Sequence, residues 1–289
     1  MAILSPPAVS HTPGSTVHFL ERTYGEFHKR EFLFSDPLEF PHRYKDAWDQ
    51  EAVALVSALL AYGNVKQIRR SVEDALARMQ DLAPSPSRFV RGLGDPMELK
   101  KAQRKFQGFV HRFNRGEDVV SLFQLLSRSW SRFGSLGAHF VSNLDPTDAT
   151  IEGALSHLIL NWKSWAREMK LRRGPFFAHL LNSPQDGSCC KRWCMFLRWM
   201  GRSCDLDLGL WSKEGALAST FSRRRWLRPD QLVIPLDTHT GRISQKLGLT
   251  SRKNLNWKAA LEVTQALRAF DAVDPVRYDF ALCRLGILG

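Results

Sequence analysis

The 289-residue chain is 44% apolar and 24% charged, a balance that excludes wholesale disorder and is long enough for one large domain or two smaller ones. Its 41 Lys and Arg against 29 Asp and Glu leave a formal charge of +12. That excess favours a polyanionic partner through counterion release and steering, with a basic surface lacking any partner as the plain alternative. The longest nearly apolar stretch, residues 52–62, is too short to span a bilayer, so no membrane partner is expected.

The opening MAILSPPAVSHTPGST contains no Lys or Arg. With no long apolar core after it, residues 1–16 read as a flexible tail without a secretory signal, and the chain as cytoplasmic. From Asp49 onward a 3.6-residue periodicity recurs, with no long alternating strand pattern and no repeat, which predicts an all-α fold. Asp49 is positioned to cap a helix through QEAVALVSALLAY, with Gly63 as its left-handed stop. Asn64 starts a second helix, with Gln67 as a capping-box partner and Val65, Ile68, Val72, Leu76 and Met79 on one face. The two helices meet at an exposed corner.

Residues 82–97 are rich in Pro and Gly and read as a connection. Beyond it Lys100, Lys101, Arg104, Lys105, His111, Arg112 and Arg115 interleave with Phe106, Phe109 and Phe113. The Phe residues read as a core-facing stripe on an amphipathic helix whose basic back is free to touch phosphate. NLDPTDAT at 143–150 precedes a helix over about 151–170, and NSPQDGS at 182–188 precedes CCKRWCMFLRWMGR. From Trp193 to Met200 that segment is apolar on nearly every face, which predicts a buried helix.

Lys191 falls in the first turn of this helix if Ser188 is its N-cap. A lysine there opposes the helix dipole and adjoins Arg192. A positive helix end, a like charge and apolar walls favour a neutral amine, which is a nucleophile able to form a Schiff base. The structural alternative is a lysine snorkelling to the surface. The five cysteines, Cys189, Cys190, Cys194, Cys204 and Cys283, are odd in number and lack CxxC spacing, so they read as reduced core residues with no metal implied.

Residues 222–230, SRRRWLRPD, are either a grip on a nucleic-acid backbone or a solvated loop. VIPLDTHTGRISQKLGL at 233–249 sets Asp237, Thr238 and His239 after an apolar run. Leu236, Thr240, Ile243 and Leu247 fall on one side of a short helix, His239, Arg242 and Lys246 on another, and Gly248 ends it. Asp237 is a good N-cap, and a capping carboxylate is also held ionised and oriented.

These elements resemble the helix-hairpin-helix DNA glycosylase superfamily. VIPLDTHTGRISQKLGL looks like its Asp-Thr-His segment, whose Asp is the catalytic carboxylate. NSPQDGSCCKRWCMFLRWM looks like the hairpin and second helix that, in lysine-bearing members such as endonuclease III and the 8-oxoguanine glycosylases, carry the nucleophile. DQEAVALVSALLAYGNVKQI resembles the early helix and the corner bearing a DNA wedge. The chain is most similar to a bacterial branch related to the archaeal-type 8-oxoguanine glycosylases, and the likeness runs over about residues 49–289. It departs from the pattern in that Gly187 lies four residues before Lys191 rather than two. The separation of Lys191 from Asp237 is also longer than in familiar members.

The resemblance implies a helical region over 17–289 built as two interleaved lobes with an active-site cleft between them. It places the hairpin and catalytic helix near 176–202 and an insertion near 203–232 that loops out. It implies a bifunctional glycosylase and AP lyase of base-excision repair that removes an oxidised base, 8-oxoguanine foremost, from damaged duplex DNA. The enzyme would act as a monomer, associated with the bacterial nucleoid and without cofactor. Lys191 would be the nucleophile and Asp237 the stabiliser of sugar charge. Trp211 would stack on the base, and Asn64, Lys66, Gly187, Ser188, Arg192, Arg224, Arg225, His239 and Arg242 would contact DNA. The cysteine cluster that holds iron and sulfur in endonuclease III is missing. A non-catalytic helical DNA- or RNA-binding protein and a glycosylase for oxidised pyrimidines are the alternatives.

Overall fold

The computed structural model describes residues 13–221 and 225–288, and it is an all-α fold. The helices are α1 (Pro13–Phe27), α2 (Ala47–Leu59), α3 (Val65–Gln80), α4 (Pro86–Gly92), α5 (Pro96–Lys105), α6 (Gly116–Phe133), α7 (Leu136–Val141), α8 (Glu152–Glu168), α9 (Lys191–Gly201), α10 (Thr238–Lys246), α11 (Trp257–Arg268) and α12 (Asp279–Leu288). Among the described residues the sheet is one two-stranded hairpin, β1 (Val110–His111) against β2 (Asn114–Arg115). No described helix is long and apolar enough to cross a membrane.

Local sequence rules account for several boundaries. Asn64 caps α3 by accepting from Gln67 N at 2.8 Å, and Ile68, Val72, Leu76 and Met79 are buried as one stripe. Ser85 caps α4 with Pro86 at its first position, so part of the Pro-rich 82–97 connection is helical. Asp46, not Asp49, caps α2 through hydrogen bonds from Trp48 N and Asp49 N, both 3.0 Å. Asp49 comes three residues too late, nearly a full turn into the helix, and its carboxylate instead accepts from Ser87 N at 2.7 Å, joining α2 to α4. The tail boundary also moves, because α1 starts at Pro13 and Thr16 is buried.

The basic segment after α5 leaves the helix. Phe106 and Phe109 are core residues, but the chain then turns through the hairpin and leaves Phe113 half exposed at its tip. The described residues of the segment 203–232 pack into the molecule and do not loop out. Leu206, Leu210, Trp211, Leu217, Leu227 and Leu232 are all buried in the core, since that many large apolar side chains are costly to leave in water.

Helix α2 organises the region through Glu51, which is fully buried and accepts from Trp130 Nε1 (2.5 Å), Leu136 N (3.0 Å), Gly137 N (3.1 Å) and Trp211 Nε1 (2.8 Å). Burial pushes its pKa up while these donors pull it back. Histidine is buried as well. The His139 ring stacks on Phe133 with centroids 4.2 Å apart and shares a 3.0 Å hydrogen bond with Ser129. Burial, helped by the charge of Arg132, lowers its pKa from 6.5 to about 4.

Below pH 6.5 the unfolded chain therefore takes up a proton that the folded chain refuses. This contribution to stability is whole above pH 6.5 and is lost as the pH falls toward 4. Histidines 28, 111 and 179 are lowered in the same way. Urea midpoints measured from pH 7 to pH 4 are expected to fall, and His139→Gln to flatten part of that slope; an unchanged slope would remove His139 from the account.

Candidate active site

Two helix starts converge on a cavity of about 670 Å³, within the range of small-molecule sites. Its walls come from the α2–α3 corner, the segment before α9, the first turns of α9 and α10, and one face of α12. Lys191 is the first residue of α9 and Asp237 the N-cap of α10. Lys191 Nζ lies 3.7 Å from Asp237 Oδ2, with both side chains partly open to the cavity. Asp237 Oδ1 meanwhile accepts from Thr240 N at 2.9 Å. One carboxylate oxygen caps the helix and the other faces the amine.

The backbone that delivers Lys191 is unusual. Ser188 does not cap α9; its hydroxyl accepts from Cys190 N at 3.2 Å and its backbone bridges to Asn256. Cys190 takes the N-cap position in a left-handed conformation, φ 49°. For a residue with a side chain this costs about 1–3 kcal/mol and persists only where the surroundings enforce it. The enforcement is visible in the buried Cys190 thiol, packed toward the carbonyls of Asn182 and Ser188. Opposite, Cys189 Sγ donates to Leu236 O at 3.3 Å, tying the approach to α9 to the residue before Asp237.

Beneath the pair lie buried charges that sequence reasoning missed. Arg198 pairs with Asp279 and, at 3.2 Å, with Asp207. Burial alone would lower Arg198, but these carboxylates outweigh it and hold the guanidinium charged. Asp279 is pushed up to about 6 by burial, against the pull of Arg198 and with the charge of Asp237 adding to the rise. Cys283 also lines the cavity, and burial together with Asp237 raises its thiol to about 12. Protonated at neutral pH, it is no rival nucleophile to the lysine. Tyr62 and His179 form another wall, their rings 4.9 Å apart edge to face.

Over residues 36–288 the chain matches the family model described as Protein of unknown function (DUF2400), and it belongs to that family. No curated protein and no solved structure matches it.

Of the residues expected at the site, Lys191, Asp237, Asn64, Ser188, Arg192 and His239 line this cavity. Gly187 is at the adjoining turn in a left-handed conformation, φ 73°. Lys66 and Arg242 are exposed outside the lining. Arg225 is half-buried elsewhere, donating to Leu144 O at 3.0 Å, and Arg224 lies outside the described residues. Arg192 is not a surface cation. It donates to Leu59 O at 2.8 Å and to His179 O, and its guanidinium stacks 4.9 Å from the Tyr62 ring centroid. Burial lowers it to about 10.

Trp211 is the clearest correction. It is fully buried, packs against Phe140 and Phe196, and gives its one donor to Glu51, so no face is left for a ligand. A buried carboxylate needs that donor. Trp211→Phe is expected to cost about 1–3 kcal/mol of stability, read from urea unfolding; a wild-type midpoint would mean that Glu51 is satisfied without it.

Proposed function

We propose that this member of the DUF2400 family is a DNA glycosylase with AP lyase activity that accepts an everted, damaged nucleotide in the Lys191 cavity. The observation that carries the reading is the 3.7 Å approach of Lys191 Nζ to Asp237 Oδ2 at the mouth of two helix N-termini facing one cavity. The two walls are read as the faces of two lobes, with the target base, 8-oxoguanine foremost, turned out of the stack into the cleft between them. The +12 charge supports a phosphate partner. Phe113 and Phe176 support it too, both half exposed, with centroids 5.1 Å apart and Arg112 5.4 Å from the Phe113 ring, an arrangement suited to stacking on bases.

In this mechanism Lys191 gives up a proton and its free amine attacks C1′. The bond from C1′ to the base breaks, and the base leaves with the bonding electron pair and takes up a proton. Opening of the sugar gives an iminium between Lys191 and C1′. Loss of a proton from C2′ then expels the 3′ phosphate, and water releases the lysine. Asp237 is placed to stabilise the positive charge that develops on the sugar. As the carboxylate nearest the ammonium, it is also the acceptor in reach for the first proton. The reaction would belong to base-excision repair in the cytoplasm or nucleoid of a bacterium.

Borohydride reduction of the iminium fixes protein to DNA, so trapping on a duplex containing 8-oxoguanine tests the reading directly. Lys191→Gln is expected to abolish the adduct while keeping most of the DNA affinity, and an undiminished adduct would take Lys191 out of the mechanism. Asp237→Asn keeps an oxygen to cap α10 and loses the charge. Its single-turnover excision is expected to fall by about a hundredfold or more with binding little changed; a near-normal rate would reduce Asp237 to a cap. If the wild type leaves no adduct on any of a panel of lesions, single-stranded substrates included, the chain is a silent nucleic-acid binder.

Asn64 stands exposed on the rim of the same cavity at the α2–α3 corner, placed to fill the gap left by an everted base. Its side chain also caps α3, so two substitutions are needed. Asn64→Ser retains a cap and Asn64→Ala loses one, worth about 1 kcal/mol, while both shorten the plug. Both are expected to slow excision from duplex more than from single strands. Slowing confined to Asn64→Ala would assign the effect to the helix instead.

A further inference from the structure

A second cavity, of about 430 Å³, lies against the hairpin, between the end of α5 and the start of α6. Phe106, Phe109 and Val120 line it with core side chains. Gly116, whose missing side chain allows the start of α6 to close on the Phe106 carbonyl, shapes one wall. Gln124, one helical turn beyond Val120, also lines it. Its side chain is only 8% exposed, and among the described residues nothing hydrogen-bonds to its amide. An amide with no partner in the chain keeps its donor and its acceptor available to whatever occupies the cavity.

The rim is cationic. Lys100, Arg104, Arg115 and Arg172 are exposed there, and none makes an ion pair among the described residues. Their neighbours Lys101 and Lys105, which do not line the cavity, are paired with Glu98 and Asp81. Glu117 is the one carboxylate in the lining. A ligand for this place needs a flat apolar body, a donor and an acceptor side by side on its edge, and negative charge at its outer end. Nucleotides combine all three, and adenine matches a glutamine amide through its N6 donor and N7 acceptor.

We propose that this cavity binds an adenine nucleotide unit, with the base held by its edge on Gln124 and its phosphate among Lys100, Arg104, Arg115 and Arg172. The site does not depend on the reaction proposed for Lys191, and its ligand comes either from free nucleotide or from a nucleotide within a strand.

Calorimetric titration of the full chain with AMP, adenosine and inorganic phosphate tests it. AMP is expected to bind more tightly than either fragment. Gln124→Leu, which keeps the bulk and removes the polar edge, is expected to weaken AMP about tenfold and leave phosphate binding as it was. Arg104→Glu is expected to weaken AMP and phosphate together, and Lys191→Gln to change neither. Thermal midpoints of the variants establish that they are folded. AMP binding no tighter than phosphate, or equal AMP affinity in wild type and Gln124→Leu, would overturn the proposal. A short oligo(dA) displaced by AMP and weakened by Gln124→Leu assigns the site to a strand; an oligonucleotide indifferent to both, beside intact AMP binding, assigns it to free nucleotide.

Discussion

Helix α9 and its C-cap residue bring Arg198 and Arg202 into the interior, and the demand of these two guanidinium groups for carboxylates constrains everything around them. Arg198 and Arg202 are almost wholly buried. Arg202 takes Asp207 and grips both oxygens of Asp274, at 3.0 and 2.9 Å from its Nε, while Arg198 takes Asp207 and Asp279. Removing one member of such a network strands a charge, at about 3–5 kcal/mol, even where the whole network contributes little net stability. The three acids come from the segment after α9 and from the residues that lead into and begin α12. The helix therefore fixes both, and the 203–210 segment is drawn inward instead of extending as an insertion.

That constraint reaches the candidate site through α12. Its first residue, Asp279, pairs with Arg198, and its Cys283 and Gly286 lie against Asp237 and His239. A side chain at Gly286 would collide with His239 Cβ, so α12 and α10 meet closely because a glycine stands there. On the other flank, Val233 to Leu236 are buried, with Ile234 N held by Thr264 Oγ1 at 3.0 Å. Asp237 is thus presented between a buried segment and a closely packed helix. The same carboxylate serves as cap and as counter-charge to Lys191, so the structural and chemical readings of it are compatible and use different oxygens.

What was legible in the sequence was local. Asn64 and Asp237 announce caps because their partners lie three residues away, and the all-round apolar pattern of 193–200 forces burial whatever surrounds it. What was not legible depended on partners distant in the chain. Trp211 read as a loop residue free to face a ligand, but its partner Glu51 is 160 positions away. Arg192 read as a phosphate contact beside Lys191, yet the carbonyl it meets belongs to Leu59, 133 positions away. Ser188 met the composition rule for a cap and lost the position to Cys190, because the chain had already turned at Gly187 and been pinned by the bridge to Asn256. The pairing of Lys191 with Asp237 was read from family likeness, not from periodicity, and the geometry brings those two residues together.

The distribution of charge follows from the same division. Arg198, Arg202 and Arg284 are buried, but Asp207, Asp274, Asp279 and Asp36 go with them, so these groups nearly cancel and do not account for the net +12. Arg192 is the exception, a buried cation on carbonyls and an aromatic face. Among the described residues a group of exposed cations without ion pairs, Lys100, Arg104, Arg115 and Arg172, lies beside the β1–β2 hairpin. That hairpin lines the second cavity and packs behind a wall of the first. Tyr62, on the wall of the first, donates to His111 O at 3.0 Å and Asn114 Oδ1 at 2.6 Å, while Val110 and Arg115 line the second. A phosphate chain drawn to the hairpin by these cations would lie within reach of both, which is a more specific consequence of the basic composition than net charge alone supplies.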